Sequence, residues 1–113
     1  MIQANYTRLT GRAGKKPELF TTDSGKQIAS FSFATTEHYK DQQGNRQEIT
    51  DWHNVVAFDK LAELICKYVN KGDKFQIEGK LKTRQYNDKE GNSRYVTEVI
   101  ITEFELFGSS NNK

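Results

Sequence analysis

Aromatic rings and cations are interleaved at strand spacing along this chain of 113 residues. Side chains alternate along a strand, so Trp52 and Phe58 share one face of the run Gln47–Phe58. Lys80, Lys82, Arg84 and Tyr86 share one face of the run Lys74–Tyr86. Tyr39 stands where a third run, Lys26–His38, gives way to a polar loop, and Lys40, Arg46, Lys60, Lys71 and Arg94 supply further positive groups. Flat π surfaces beside ammonium and guanidinium groups suit an unstacked strand of nucleic acid: bases stack on the rings and phosphates meet the cations. Each stacked base is worth about 1–3 kcal/mol, so a few rings decide whether a strand is held.

Plainer readings compete with this one. A lone strand tryptophan usually packs in a core, and a row of lysines and arginines can simply blunt a sheet edge. The neighbourhood favours binding, because Tyr39 and Tyr86 sit among polar residues at loop margins, where packing accounts for them less well. Catalytic patterns are poor. His38 and His53 are the only histidines, and no His-Glu-x-x-His, Cys-x-x-Cys, Gly-x-Ser-x-Gly or phosphate-loop pattern occurs. Asp51 and His53 share a strand face and could form a couple, read here as a buried or interface hydrogen-bonded pair; a small hydrolase built on them is the competing class. Cys66 is the sole cysteine, which excludes an internal disulfide or a Cys-built metal site and leaves it as a small packing residue. No catalytic residue, metal site or cofactor is expected.

The elements that must position these groups follow from periodicity. Gln47–Phe58 alternates, with Trp52, Asn54, Val56 and Phe58 on one side and His53, Val55 and Ala57 on the other; Lys26–His38 places Ala29, Phe31 and Phe33 opposite Ser30 and Ser32. Lys74–Tyr86 puts Phe75, Ile77, Gly79 and Leu81 on its apolar face, and Arg94–Phe107 is apolar on both sides at its centre. A weaker opening strand falls around Gln3–Gly11. In Asp59–Val69, Leu61, Leu64, Ile65 and Tyr68 recur at helical spacing, Asp59 is placed to cap the start, Glu63 and Lys67 form an i, i+4 pair, and Gly72 lies where the helix must have stopped. Polar, Gly-containing segments at Lys40–Arg46 and Asn87–Asn92 read as hairpin loops. Three strands, a helix and two more strands is the order of a five-stranded OB barrel, although other small β-rich domains also carry one helix.

Length allows one domain, placed at residues 1–107 with 108–113 as a disordered tail. No apolar run approaches a membrane span and the first residues lack a signal-peptide layout, so a soluble, intracellular chain without a membrane partner is expected. Lys and Arg number 17 against 15 Asp and Glu, a net charge of +2, which by itself argues nothing about nucleic acid. The expectation is a sum over unequal faces: Lys80, Lys82 and Arg84 on one strand, with Glu98, Glu103 and Glu105 in the last strand region. Only 35% of the residues are hydrophobic, so a subunit that completes its burial by assembling is also expected.

Three stretches, PELFTTDSGKQIASFSFATTEHY, DWHNVVAFDKLAELICKYVNKGDKFQIEGKL and TRQYNDKEGNSRYVTEVI, run from Pro17 to about Ile101. Together they resemble the bacterial single-stranded DNA-binding protein (SSB) family, and the combination of WHNVV, FDKLAE, YVNKGD, IEGKL and the TRQY to RYVTEV hairpin is specific. The resemblance implies an all-β OB barrel that assembles as a homotetramer and wraps single-stranded DNA in replication, recombination and repair, with a cytoplasmic, nucleoid-associated location. It implies base stacking on Tyr39, Trp52, Phe58 and Tyr86, with Tyr39 and Tyr86 standing where the family often has Trp. It also implies phosphate contacts at Lys60, Lys71, Lys82, Arg84 and Arg94, and His53 at a subunit interface. A dimeric OB-fold replication accessory is the alternative. Two departures stand out. The opening NYTRLTGRAG is more polar than the family's first strand, which puts its packing and dimer-forming edge in question. The sequence also reaches Lys113 without the family's long linker and acidic tip, as a core alone or a short natural variant would, so tip-mediated protein recruitment is expected to be absent.

Overall fold

The structure is a computed structural model and describes residues 2–107, so the expectation for 108–113 lies outside the described residues. Six strands and one helix follow in order: β1 (Thr7–Ala13), β2 (Glu18–Thr21), β3 (Gln27–Lys40), β4 (Arg46–Phe58), α1 (Asp59–Tyr68), β5 (Lys74–Asn87) and β6 (Ser93–Leu106). Neighbouring strands run β1-β5-β6-β4-β3, and β3 returns to β1 through Arg12↔Ala34 and Ala13↔Phe33, closing a five-stranded barrel. The expected OB architecture is therefore present. The short β2 is additional. It extends the edge of β3 from Glu18↔Ser30 to Thr21↔Gln27, and all four of its residues are exposed, so no buried alternation marks it in the sequence.

Alternation sets the core. Phe31, Phe33, Val55, Ala57, Phe75, Ile77, Val99 and Ile101 point inward and are almost wholly buried. Phe75 is the hub, with ring centroids of Phe33 and Phe31 at 5.1 and 6.2 Å and that of Phe104 at 6.5 Å. Closure needs two positions without side chains. A β-carbon on Gly11 would run into the Ala34 carbonyl, and one on Gly79 into that of Ile100, where a bulge shifts the β5–β6 register.

The polar opening strand packs after all. It starts at Thr7 rather than Gln3; Gly11 and Ala13 are buried, Leu9 packs on the core, and Arg8 turns outward to Glu78 at 3.4 Å. Asn5, just before β1, accepts from the Leu81 N–H and donates to the Leu81 carbonyl, at 2.9 and 2.8 Å.

The helix differs from expectation in detail. Asp59 is not a side-chain cap. β4 runs straight into α1, Phe58 takes the N-cap position in extended geometry without a side-chain bond, and Asp59 makes the bend at a φ of 55°. Its buried stripe is Ala62 and Ile65, followed by Val69, with Leu61 and Cys66 alongside, while Tyr68 is exposed. Lys67 lies 5.3 Å over the Tyr68 ring instead of pairing with Glu63. Cys66 is half-buried against the core, as a packing residue should be, and burial pushes its thiol pKa up. The Lys16 ammonium closes the helix end, donating to the Cys66 and Val69 carbonyls at 3.1 and 3.2 Å and to Asn70 Oδ1 at 3.3 Å.

Candidate nucleic-acid interface

The β3–β4 register runs without a break from Ile28↔Phe58 to Lys40↔Arg46. Residues directly opposite share a face, so Ile28, Ser30, Ser32 and Ala34 stand beside Phe58, Val56, Asn54 and Trp52 on the outside of the barrel. The parallel β4–β6 pairing and the antiparallel β5–β6 pairing carry this face onward, through Val56↔Ile100 and Lys80↔Ile100 to Lys82↔Glu98, Arg84↔Val96 and Tyr86↔Arg94. Two chain segments separated by the helix thus contribute to one surface. A shallow groove there is lined by Ser30, Asn54, Arg84, Tyr86, Val96 and Glu98. Trp52, 63% exposed, and Tyr86 offer open rings, and Phe58 is half-buried with the Lys26 ammonium 5.0 Å above it.

Both long hairpins end in the same turn. Asp41 Oδ1 accepts the N–H groups of Gln43 and Asn45, and Asp88 Oδ1 accepts those of Glu90 and Asn92, with Gly44 and Gly91 at positive φ. The Arg94 guanidinium, followed by the Asn92 N–H, holds the Asp88 carboxyl below the usual carboxylate range. Tyr39 and Tyr86 each precede their turn aspartate by two residues, so the rings flank equivalent tips. They do not share a surface in the same way. An odd step separates Ala34, opposite Trp52, from Tyr39, opposite Gln47, so Tyr39 is on the far face of the β3–β4 ribbon. A strand touching both Tyr39 and Trp52 has to wrap the ribbon.

The cations fall into two groups. Lys80 and Lys82 are exposed on the outer face and make no ion pair among the described residues. Lys40 and Arg46 form the last pair of the β3–β4 ladder, and Lys60 is the second residue of the helix, two positions beyond Phe58. Arg84 and Arg94 are already engaged. Arg84 donates Nε to Glu98 Oε1 at 3.0 Å and Nη2 to Oε2 at 3.4 Å while lying 5.8 Å over Tyr86; Arg94 holds Asp88 at 3.0 Å. Lys71 sits in a turn that the Gly72 N–H ties to the Ala13 carbonyl, so it is brought to β1 rather than to the ring-bearing strands. The expected separation of charge also shifts. Glu98 stands on the basic face as the buried partner of Arg84, because register sets it opposite Lys82. The acidic end lies past the bulge, where Glu78, Glu103 and Glu105 gather.

Comparison with known proteins gives this surface its context. The profile of the single-strand binding protein family matches residues 4–107. The chain belongs to that family. It is 42% identical over 106 residues to "Single-stranded DNA-binding protein 1" of Chlorobaculum tepidum and 41% identical over 107 residues to the "Single-stranded DNA-binding protein" of Bacteroides thetaiotaomicron, in each case over 93% of this chain. It spans about two thirds of the length of these relatives, 65% and 66%. A solved structure entitled "Plasmodium falciparum SSB complex with ssDNA" superposes with a TM-score of 0.83 at 29% identity, covering 96% of this chain and 98% of that one.

In this member of the single-strand binding protein family, His53 does not form the couple with Asp51. Its Nε2 meets Thr35 Oγ1 at 2.9 Å across the β3–β4 ladder, which leaves the hydrolase reading without its dyad. Two residues near the rings are absent from the sequence reading. Lys26 looks like an ordinary strand-start cation until the register carries it over Phe58, so no local signal marks it. Gly14 sits under Trp52: a β-carbon there would come within 2.7 Å of the indole Cζ3. The exposed indole can swing away, so Gly14→Val should cost little stability while displacing the ring. Thermal melts and Trp52 emission with and without oligo-dT would check this; unchanged emission and affinity would refute the positioning role.

Proposed function

We propose that this chain binds single-stranded DNA without strong sequence preference and without catalysis, protecting exposed strands in replication, recombination and repair. The observation that carries the reading is one outer face bearing Trp52, Phe58 and Tyr86 together with Lys80 and Lys82, which make no ion pair among the described residues. Bases stack on the rings and phosphates lie along the lysines, a combination that tolerates any sequence because every base has a π face. Tyr39, Lys40 and Arg46 extend the path around the β3–β4 hairpin, and Lys60 extends it past Phe58. Arg84 and Arg94 act first as scaffolding for Glu98 and Asp88, and Lys71 lies at the margin. The Plasmodium likeness supports the reading, since its title names a complex with ssDNA.

Assembly into a homotetramer with His53 near a subunit contact is part of the proposal. It is supported by apolar groups that one subunit leaves uncovered on the hairpins, including Ile49, Leu81 and Tyr95, the last 71% exposed. A cytoplasmic, nucleoid-associated location follows from the ligand.

Titrating labelled oligo-dT while following Trp52 fluorescence tests the reading: quenching and a steep loss of affinity with salt are expected. Counterion release from a single strand contributes about −0.7 per phosphate neutralised, so Lys82→Ala should flatten the log K against log salt slope by roughly that amount. Absence of binding at low salt would overturn the function, and an unchanged slope would remove Lys82 from the phosphate path. The mass of the complex distinguishes a tetramer from the dimer of a replication accessory.

A further inference from the structure

Phe20 lies on β2, the strand the sequence does not reveal, and is 65% exposed, slightly more than Trp52. Its position is set by two ladders. Phe20 pairs with Ile28 across β2–β3, and Ile28 pairs with Phe58 across β3–β4, so Phe20, Ile28 and Phe58 form one row across the outer face. Residues directly opposite in an antiparallel pair project to the same side, so Phe20 stands on the face that carries Trp52 and Phe58. Two inter-strand spacings, about 9–10 Å, separate its backbone from that of Phe58. Lys26 belongs to the same neighbourhood, at the end of the β2–β3 turn with its ammonium over Phe58.

We propose that Phe20 is a further base-stacking platform, which carries the single-stranded DNA path from Phe58 across β3 onto the edge strand β2, with Lys26 as the adjacent phosphate contact. The inference rests on the function proposed above. Three features favour DNA over a second copy of the chain. The ring continues a row of aromatic groups already on that face, a cation stands beside the row, and Leu19, the other large apolar residue of β2, points to the opposite face. Core burial does not account for the ring either, since it is 65% exposed.

The chain has one tryptophan, so Trp52→Phe removes all indole fluorescence and adding Phe20→Trp reports on position 20 alone. Quenching of that indole by oligo-dT is expected, as is a roughly five- to tenfold weaker Kd for Phe20→Ala, the lower part of the range for one stacked base. Phe20→Tyr should retain the wild-type affinity and Phe20→Leu should not, because stacking needs a flat ring and simple apolar burial does not. Binding of labelled oligo-dT to the unaltered chain, followed by anisotropy, tests the underlying function separately. If that binding is intact while the indole at position 20 is unquenched and Phe20→Ala is neutral, the platform is refuted. An emission shift that follows protein concentration and particle mass without DNA places the ring between copies and overturns the proposal equally.

Discussion

Trp52→Ala is expected to weaken binding of labelled oligo-dT by about 5- to 150-fold, the equivalent of the roughly 1–3 kcal/mol carried by one stacked base. The loss should be similar on all sequences, because an indole reads no base edge. Folding stability should barely change, since the ring is 63% exposed and surface replacements usually move stability by less than about 0.5 kcal/mol. Anisotropy with oligo-dT and a mixed-sequence strand, together with a thermal melt, separates the two effects. An unchanged Kd would remove Trp52 from the path. Arg84→Ala offers a contrast: it strands the buried Glu98 carboxylate, so its main effect should appear in the melt rather than in the salt slope.

Phe75→Ala is expected to cost about 3–5 kcal/mol of folding stability, the usual range for emptying a large aromatic from a core. Phe75 is fully buried and meets Phe31, Phe33 and Phe104, two of them edge to face, so the cavity would open at the centre of the barrel. Single domains have about 5–15 kcal/mol in total, so the variant should approach the unfolding threshold. Denaturant titration of both proteins at one concentration is the appropriate measurement, because the assembly proposed above would make apparent stability depend on concentration. A loss below about 1 kcal/mol would mean that the barrel refills the site.

Local pattern was enough for most of the barrel. Ala29, Phe31 and Phe33 against Ser30 and Ser32, and Phe75, Ile77 and Gly79 against their polar and charged neighbours, announce strands because a half-buried strand has a period of two. The helix was legible from its own period of about 3.6, and Leu61 and Ile65 of its expected stripe do face the core, but the stripe ends on Val69 rather than on Tyr68. Tyr68 fits helical spacing as well as Val69 does, and only the position of the barrel decides which of them is covered. β2 left no trace, since an exposed edge strand has no alternation to show.

The candidate site divides along the same line. Trp52, Phe58, Tyr86, Lys80 and Lys82 were identifiable from type and spacing, because stacking and phosphate contact require those groups and strand geometry puts them on a face. What the chain alone determined is therefore which groups are available and on which side of each strand they stand. Tertiary structure decided which sides coincide. The β4–β6 and β5–β6 registers bring Tyr86 to the face of Trp52 and set Glu98 against Arg84, the β3–β4 register puts Tyr39 on the other side of its ribbon, and the β2–β3 and β3–β4 registers together align Phe20 with Phe58. The physical reason is that alternation is a property of one strand, whereas register is settled by which pairings close the barrel around Phe75 with Gly11 and Gly79 at its tightest contacts.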